Sequence, residues 1–275
     1  MTPQIGIMQG RLSPSQDGRF QFFPKNWQAE FSLAKELGFS SIEWIYDENP
    51  DIRRPHWEFN PILNRECREE IHNLSRRHSV KINSICADYF MSNGFSTDVG
   101  SDIVLRTLIF AAKSIQVKTI VLPFLENATI KNNRLKKEII KSISDVLGLC
   151  KLYGVKLALE TDLGANDIRI FIRQFKSPYV GVCYDLGNAT SYGHDLPKDI
   201  GFLGALIFEV HIKDRKVGSS QSVYLGEGDV DFYGCFRALK SIGFNGSMIL
   251  QANRGEYYID DAKRQLDFVK TKWRG

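Results

Sequence analysis

Four apolar stretches in the second half of the chain, VKLALE (155–160), YVGVCYD (179–185), LIFEVHIK (206–213) and GSMILQ (246–251), end on or near Glu160, Asp185, His211 and Gln251. Two carboxylates, an imidazole and an amide oxygen make a mixed oxygen and nitrogen donor set. Such a set suits one divalent metal ion, Mn2+ first, with Mg2+, Co2+, Fe2+ or Zn2+ also compatible, and it lacks the thiolates of a structural zinc site. Each residue alone has a plainer use. A strand-end glutamate caps or pairs with a basic neighbour, and a histidine on an apolar strand is a satisfied core residue. Equivalent positions on four successive strands argue for a shared site instead.

Further groups lie close by in sequence. Lys213, Asp214 and Arg215 follow His211, and Arg254 follows Gln251. Arg215 and Arg254 are candidates for bidentate contact with a phosphate, with Lys213 as a third substrate-binding cation; solvated loop charge is the alternative for either arginine. Glu43 ends an earlier apolar stretch, and Trp44 and Tyr46 beside it could pack the apolar face of a sugar or belong to the core. The loop LGEGDVDF (225–232) reads as structural, with Asp229 or Asp231 capping the helix that follows.

These side chains need a scaffold that brings strand ends together. Short apolar runs alternate with helix-patterned segments along the whole chain. The runs are 4–10, 40–45, 80–87, 118–124, 155–160, 179–185, 206–213 and 246–251. Helical patterns occupy 26–37, 65–78, 101–115, 135–153, 167–175, 196–203, 232–242 and 260–270. Strict alternation predicts a parallel sheet. Eight units in 275 residues predict one α/β domain over residues 1–275, a (β/α)8 TIM barrel. No GxGxxG follows the first strand, which removes the dinucleotide-binding reading. A barrel puts its chemistry at the C-terminal ends of its strands, so Glu43, Glu160, Asp185, His211 and Gln251 fall on one rim.

Composition narrows the function classes. The chain is 43% hydrophobic and 25% charged, with a net charge of +4 from 36 basic and 32 acidic residues. That mild basicity fits a small anionic substrate and is weak evidence for nucleic acid, whose binding calls for a clustered basic stripe. Five cysteines form no CxxC pair, as expected of reduced thiols. No secretory leader and no membrane-length apolar run is evident, so a cytoplasmic protein without membrane partners is expected.

The segments LALETDLG, GVCYDLGNATSYGHD, EVHIKDR and YLGEGDVDF, with IGIMQGRLSP at the start, resemble the xylose-isomerase-like barrel superfamily of sugar and sugar-phosphate isomerases and epimerases. Within it the chain is most similar to ketose 3-epimerases, particularly the branch acting on L-ribulose or L-xylulose 5-phosphate. The resemblance implies a small-molecule sugar or sugar-phosphate substrate and leaves room for a homo-oligomer. It also implies that strands five to eight give Glu, Asp, His and Glu to one metal, with the two glutamates as acid and base on opposite faces of the substrate. Glu160, Asp185 and His211 match the first three positions, and Glu160 takes the catalytic role. Gln251 stands at the fourth, where the carboxylate is replaced by an amide.

An amide oxygen coordinates a hard cation more weakly than a carboxylate and cannot act as a general base near pH 7. The expectation is therefore a metal-dependent isomerase or epimerase working through an enediolate. The alternatives are an inactive sugar-binding relative and a metal-dependent polyol dehydratase. A second base could come from Glu43 or Glu227. An endonuclease IV-like nuclease is disfavoured, because of five histidines only His211 falls at a strand end, while His56, His72, His78 and His194 fall in helices or loops.

Overall fold

The computed structural model describes residues 4–15, 21–47, 60–95 and 101–275. Eight parallel strands close into a barrel: β1 (Ile5–Met8), β2 (Ser41–Ile45), β3 (Lys81–Cys86), β4 (Thr119–Phe124), β5 (Lys156–Thr161), β6 (Val180–Asp185), β7 (Ile207–Ile212) and β10 (Ser247–Leu250). The cyclic order is β1-β10-β7-β6-β5-β4-β3-β2, so each strand neighbours its predecessor in sequence among the barrel strands. This is the single-barrel (β/α)8 architecture expected from the alternating pattern. His56 lies outside the described residues.

Helices form the outer layer: α1 (Ala29–Leu37), α2 (Arg65–His78), α4 (Ser101–Ser114), α5 (Asn133–Tyr153), α6 (Ala165–Arg173), α8 (Leu196–Leu203), α9 (Phe232–Ser241) and α10 (Tyr258–Arg274). Their ends follow local chemistry. Asn132 caps α5 by accepting from the Leu135 N–H, and Gly38 and Gly154 close α1 and α5 in the left-handed region. Two short helices, α3 (Tyr89–Asn93) and α7 (Leu186–Ser191), and a small hairpin of β8 (Asp214–Arg215) with β9 (Ser222–Val223) have no counterpart in the periodicity. Each is shorter than two full helical turns or strand repeats, too brief to leave a pattern. Among the described residues no helix is long and apolar enough to cross a membrane.

The large core lies between barrel and helices, while Met8, Ile45, Cys86, Val121, Ala158, Cys183 and Ile249 fill the barrel interior. Register shifts occur between β2 and β3 at Ile42/Glu43, and between β6 and β7 at Val182/Cys183. Both have a directional effect. Asn83 bonds to Ser247 on β10 and Ser84 to Glu209 on β7, so two consecutive β3 residues reach across the interior. Likewise Phe208 packs on the interior cluster while Glu209 beside it also points inward. A bulge is what lets neighbouring residues share a face, and on β7 it aims Glu209 and His211 into the barrel.

Candidate metal centre and its cavity

His211 is the middle of the polar interior. It is fully buried, and its two ring nitrogens face different partners. Nδ1 lies 3.5 Å from Glu160 Oε2 and 3.8 Å from Asp185 Oδ2, and makes no hydrogen bond. Nε2 lies 3.2 Å from Glu43 Oε2 and 3.5 Å from Glu209 Oε1. Glu43 and Glu209 in turn share the Ser84 hydroxyl, at 3.4 and 2.8 Å. The ring therefore presents Nε2–H downward to carboxylates and leaves Nδ1 facing the strand-end acids.

The remaining strand-end groups are held from the sides. Asp185 closes β6 and caps α7, its Oδ1 accepting from the Asn188 N–H at 2.7 Å, while Oδ2 meets Lys213 Nζ at 2.9 Å. Asn188 then donates through Nδ2 to Glu160 Oε1 at 2.8 Å, fixing the outer oxygen of that carboxyl. Gln251 donates through Nε2 to Gln21 Oε1 at 3.0 Å and to Met8 Sδ at 3.2 Å. These two acceptors take up the amide's N–H groups, and its Oε1 is buried without a hydrogen bond.

Burial and crowding set the ionisation. Burial pushes Glu160 up to about 7, with His211 and Lys213 opposing it. Burial also disfavours a charged Asp185, but Lys213, His211 and the Asn188 N–H together hold it below the ordinary carboxylate value. Glu209 is pushed up to about 8 by burial and by Glu43, which favours its protonated form. Burial lowers the His211 pKa, yet Glu43 and Glu160 help to raise it well above that of free imidazole.

The donor chemistry fits a divalent cation. Atoms sharing one ion at about 2.1 Å lie roughly 3–3.5 Å from one another, close to the spacing around His211 Nδ1. Gln251 Oε1 is a buried acceptor without a hydrogen bond, and an ion here would satisfy it and take the place of the proton on His211 Nδ1. Cys183 also offers an atom within 4.8 Å of Glu160 and His211. Burial pushes its thiol far up, which keeps it protonated and a poor ligand for a hard ion.

Above these residues opens a cavity of about 340 Å3 whose lining includes Glu160, Lys213, Arg215, Gln251, Gln21 and Asp88. The structure thus brings together Glu160, Asp185, His211, Gln251, Lys213 and Arg215. Three expectations from the sequence are corrected. Trp44 is fully buried between the Phe23 and Trp27 rings at 5.2 and 5.3 Å, its indole donating to Asn60, because alternation turns it outward when Glu43 turns in. Glu43 does not line the cavity; it lies beneath His211 with no exposed surface. Arg254 stacks over Phe22 at 4.9 Å and borders a separate, much smaller cleft with Arg11.

Glu227 is exposed and outside the cavity lining. Asp231 caps α9, and Asp229 accepts from the Val217 N–H. The glycine-rich loop wraps the Asp214 carboxylate, which accepts from the N–H groups of Gly226, Gly228 and Val230. A Cβ on Gly228 would meet Asp214 Oδ1 at 2.1 Å, so only glycine fits that approach.

Glu209, Ser84, Asn188, Gln21 and Asp88 are absent from the sequence reading. Glu209 was findable, since it precedes His211 by two residues and shares its face. His72 contacts the Ser114 carbonyl and His194 lies 3.8 Å from Asp199, both away from the cavity lining. All five cysteines are unpaired thiols.

Comparison with known proteins agrees with the architecture. Residues 31–272 match the family described as Xylose isomerase-like TIM barrel. The chain is 26% identical over 264 residues to L-ribulose-5-phosphate 3-epimerase UlaE of Escherichia coli O1:K1 / APEC, covering 90% of this chain and 89% of that one. A solved L-ribulose 3-epimerase superposes with a TM-score of 0.74 at 16% identity, covering 98% of this chain and 94% of that one. The IOLI protein, solved with a binding zinc atom, superposes with a TM-score of 0.73 at 20% identity, covering 98% and 99%.

Proposed function

This chain belongs to the xylose isomerase-like TIM-barrel family, and from that premise we propose that it is a divalent-metal-dependent isomerase or epimerase of a sugar or sugar phosphate. The observation that carries the proposal is the convergence on His211 Nδ1. Glu160 Oε2 and Asp185 Oδ2 stand 3.5 and 3.8 Å from a nitrogen that makes no hydrogen bond. The likeness to UlaE supports a ketose 5-phosphate as the substrate class. The zinc printed for IOLI supports a metal in this fold, with Mn2+ our preferred ion on the hardness of the donors.

Glu160, Asp185, His211 and the Gln251 amide oxygen would hold the ion. When bound, it supplies Lewis-acid polarisation of the substrate carbonyl and its neighbouring oxygen. Glu160, lining the cavity, takes the proton from the carbon next to that carbonyl, and Asn188 keeps its carboxyl aimed by holding Oε1. Lys213, against Asp185, presents positive charge to the enediolate oxygens. Arg215 lines the same cavity, and its buried Nε makes no hydrogen bond, which suits it to a phosphate oxygen.

The direct test is incubation with L-ribulose 5-phosphate and with L-ribulose in D2O, following deuterium at carbon by NMR. Deuterium entering either ketose supports the reading, and none in either sinks it. Arg215→Ala raises KM for the phosphorylated ketose by about ten- to a hundredfold, the range of a charge-assisted contact, and leaves KM for L-ribulose near that of the unaltered protein. Equal changes in both KM values would remove Arg215 from the phosphate site.

A further inference from the structure

Gln251 leaves the proposed reaction with one evident proton carrier, and inversion at carbon needs a second on the other face. Among the described residues three carboxylates line the cavity: Asp88, Glu126 and Glu160. Glu126 is exposed to solvent at the rim. Asp88 follows the end of β3 by two residues and occupies the N-cap position of α3, yet its side chain caps no N–H of that helix. Its Oδ1 instead accepts from Gln21 Nε2 at 2.8 Å, and Gln21 Oε1 accepts from Gln251 Nε2 at 3.0 Å. Two hydrogen bonds thus tie this carboxyl to the position where the carboxylate is missing.

We propose that Asp88 is the second acid–base catalyst of this cavity, exchanging a proton with the substrate carbon on the face opposite Glu160. The assignment rests on the epimerase reading above. In one direction the C–H bond breaks, its proton passing to Glu160 and its electron pair into the enediolate. That pair then forms the new C–H bond with the proton of the Asp88 carboxyl, leaving Asp88 ionised and Glu160 protonated. Water restores both groups. The surroundings of Asp88 suit either form: burial and the Asp47 carboxylate raise it to about 6, with Glu126 in the same sense and the Gln21 donor and Lys213 opposing. Arg11 also faces it electrostatically. A carboxyl titrating there carries a proton in a useful fraction of molecules near neutral pH.

The test separates exchange from inversion, using full-length protein with L-ribulose 5-phosphate and L-ribulose in D2O. Asp88→Asn keeps an acceptor oxygen for Gln21 but has no proton to give, and Asp88→Ala removes both. The expected result is deuterium exchange retained in Asp88→Asn, with inversion slowed about a hundred- to ten-thousandfold, and the same pattern in Asp88→Ala. Inversion restored in Asp88→Asn but lost in Asp88→Ala would mean that Asp88 only positions Gln21, and overturns the proposal. So would inversion at the unaltered rate in both variants, or loss of exchange together with inversion. Absence of exchange in the unaltered protein instead overturns the epimerase reading itself, and the role of Asp88 with it.

Discussion

Glu160→Gln lowers turnover by about a hundred- to ten-thousandfold, the range for loss of a positioned proton acceptor, and removes deuterium exchange into the substrate along with it. The two losses belong together, because Glu160 is assigned the first proton transfer, on which every later step depends. The substitution is gentle in structural terms. The amide oxygen can still accept from Asn188 Nδ2, which holds Oε1 at 2.8 Å, and the side chain keeps its volume in a buried site. A melting temperature close to that of the unaltered protein is therefore expected, measured by calorimetry beside the exchange assay. Exchange surviving at the unaltered rate would assign the base to another residue.

Glu43→Gln gives the second large effect, at a distance from the substrate. Glu43 Oε2 is the nearest acceptor to His211 Nε2, at 3.2 Å, and neither residue has exposed surface. Glu209, the other carboxyl below the ring, is farther from Nε2 at 3.5 Å and accepts from the Ser84 hydroxyl at 2.8 Å, so Glu43 is the carboxyl that steadies the Nε2–H tautomer. Carboxylates placed behind a metal-bound histidine are worth about ten- to a hundredfold in metal affinity. Glu43→Gln should weaken Mn2+ binding by that factor in a titration, while KM for the ketose at saturating Mn2+ changes little. Unchanged Mn2+ affinity would reduce Glu43 to a space-filling role inside the barrel.

The barrel was legible because alternation of strand and helix patterns runs through the whole chain, and because strand ends of a closed barrel converge whatever the details. That convergence alone brings Glu160, Asp185, His211 and Gln251 to one rim. Depth was not legible. Glu43 and Glu160 both read as strand-end acids, yet Glu43 is followed inward by Ile45 of the interior cluster and lies a layer lower. Strand stagger around the barrel sets that height, and stagger is a property of pairing between strands rather than of one strand. The bulge on β7 was hidden for the same reason: nothing local in IFEVHI says that Phe208 and Glu209 share the interior. Trp44 is different, since its outward direction follows from Glu43 by simple alternation. Loop residues were the least accessible. Gln21 and Asp88 matter through contacts with residues far away in sequence, and Arg254 leaves the mouth by a path that residue type does not specify.

On the proposed reading, an amide completes this metal centre in place of a carboxylate. The most direct test is elemental analysis of the protein after Mn2+ loading and desalting, beside His211→Ala treated identically. About one Mn2+ per chain is expected from a single site of this donor set, retained by the unaltered protein and lost in His211→Ala. No retained metal in either protein would contradict the account, because the donors gathered around His211 Nδ1 would then hold no ion without the missing carboxylate.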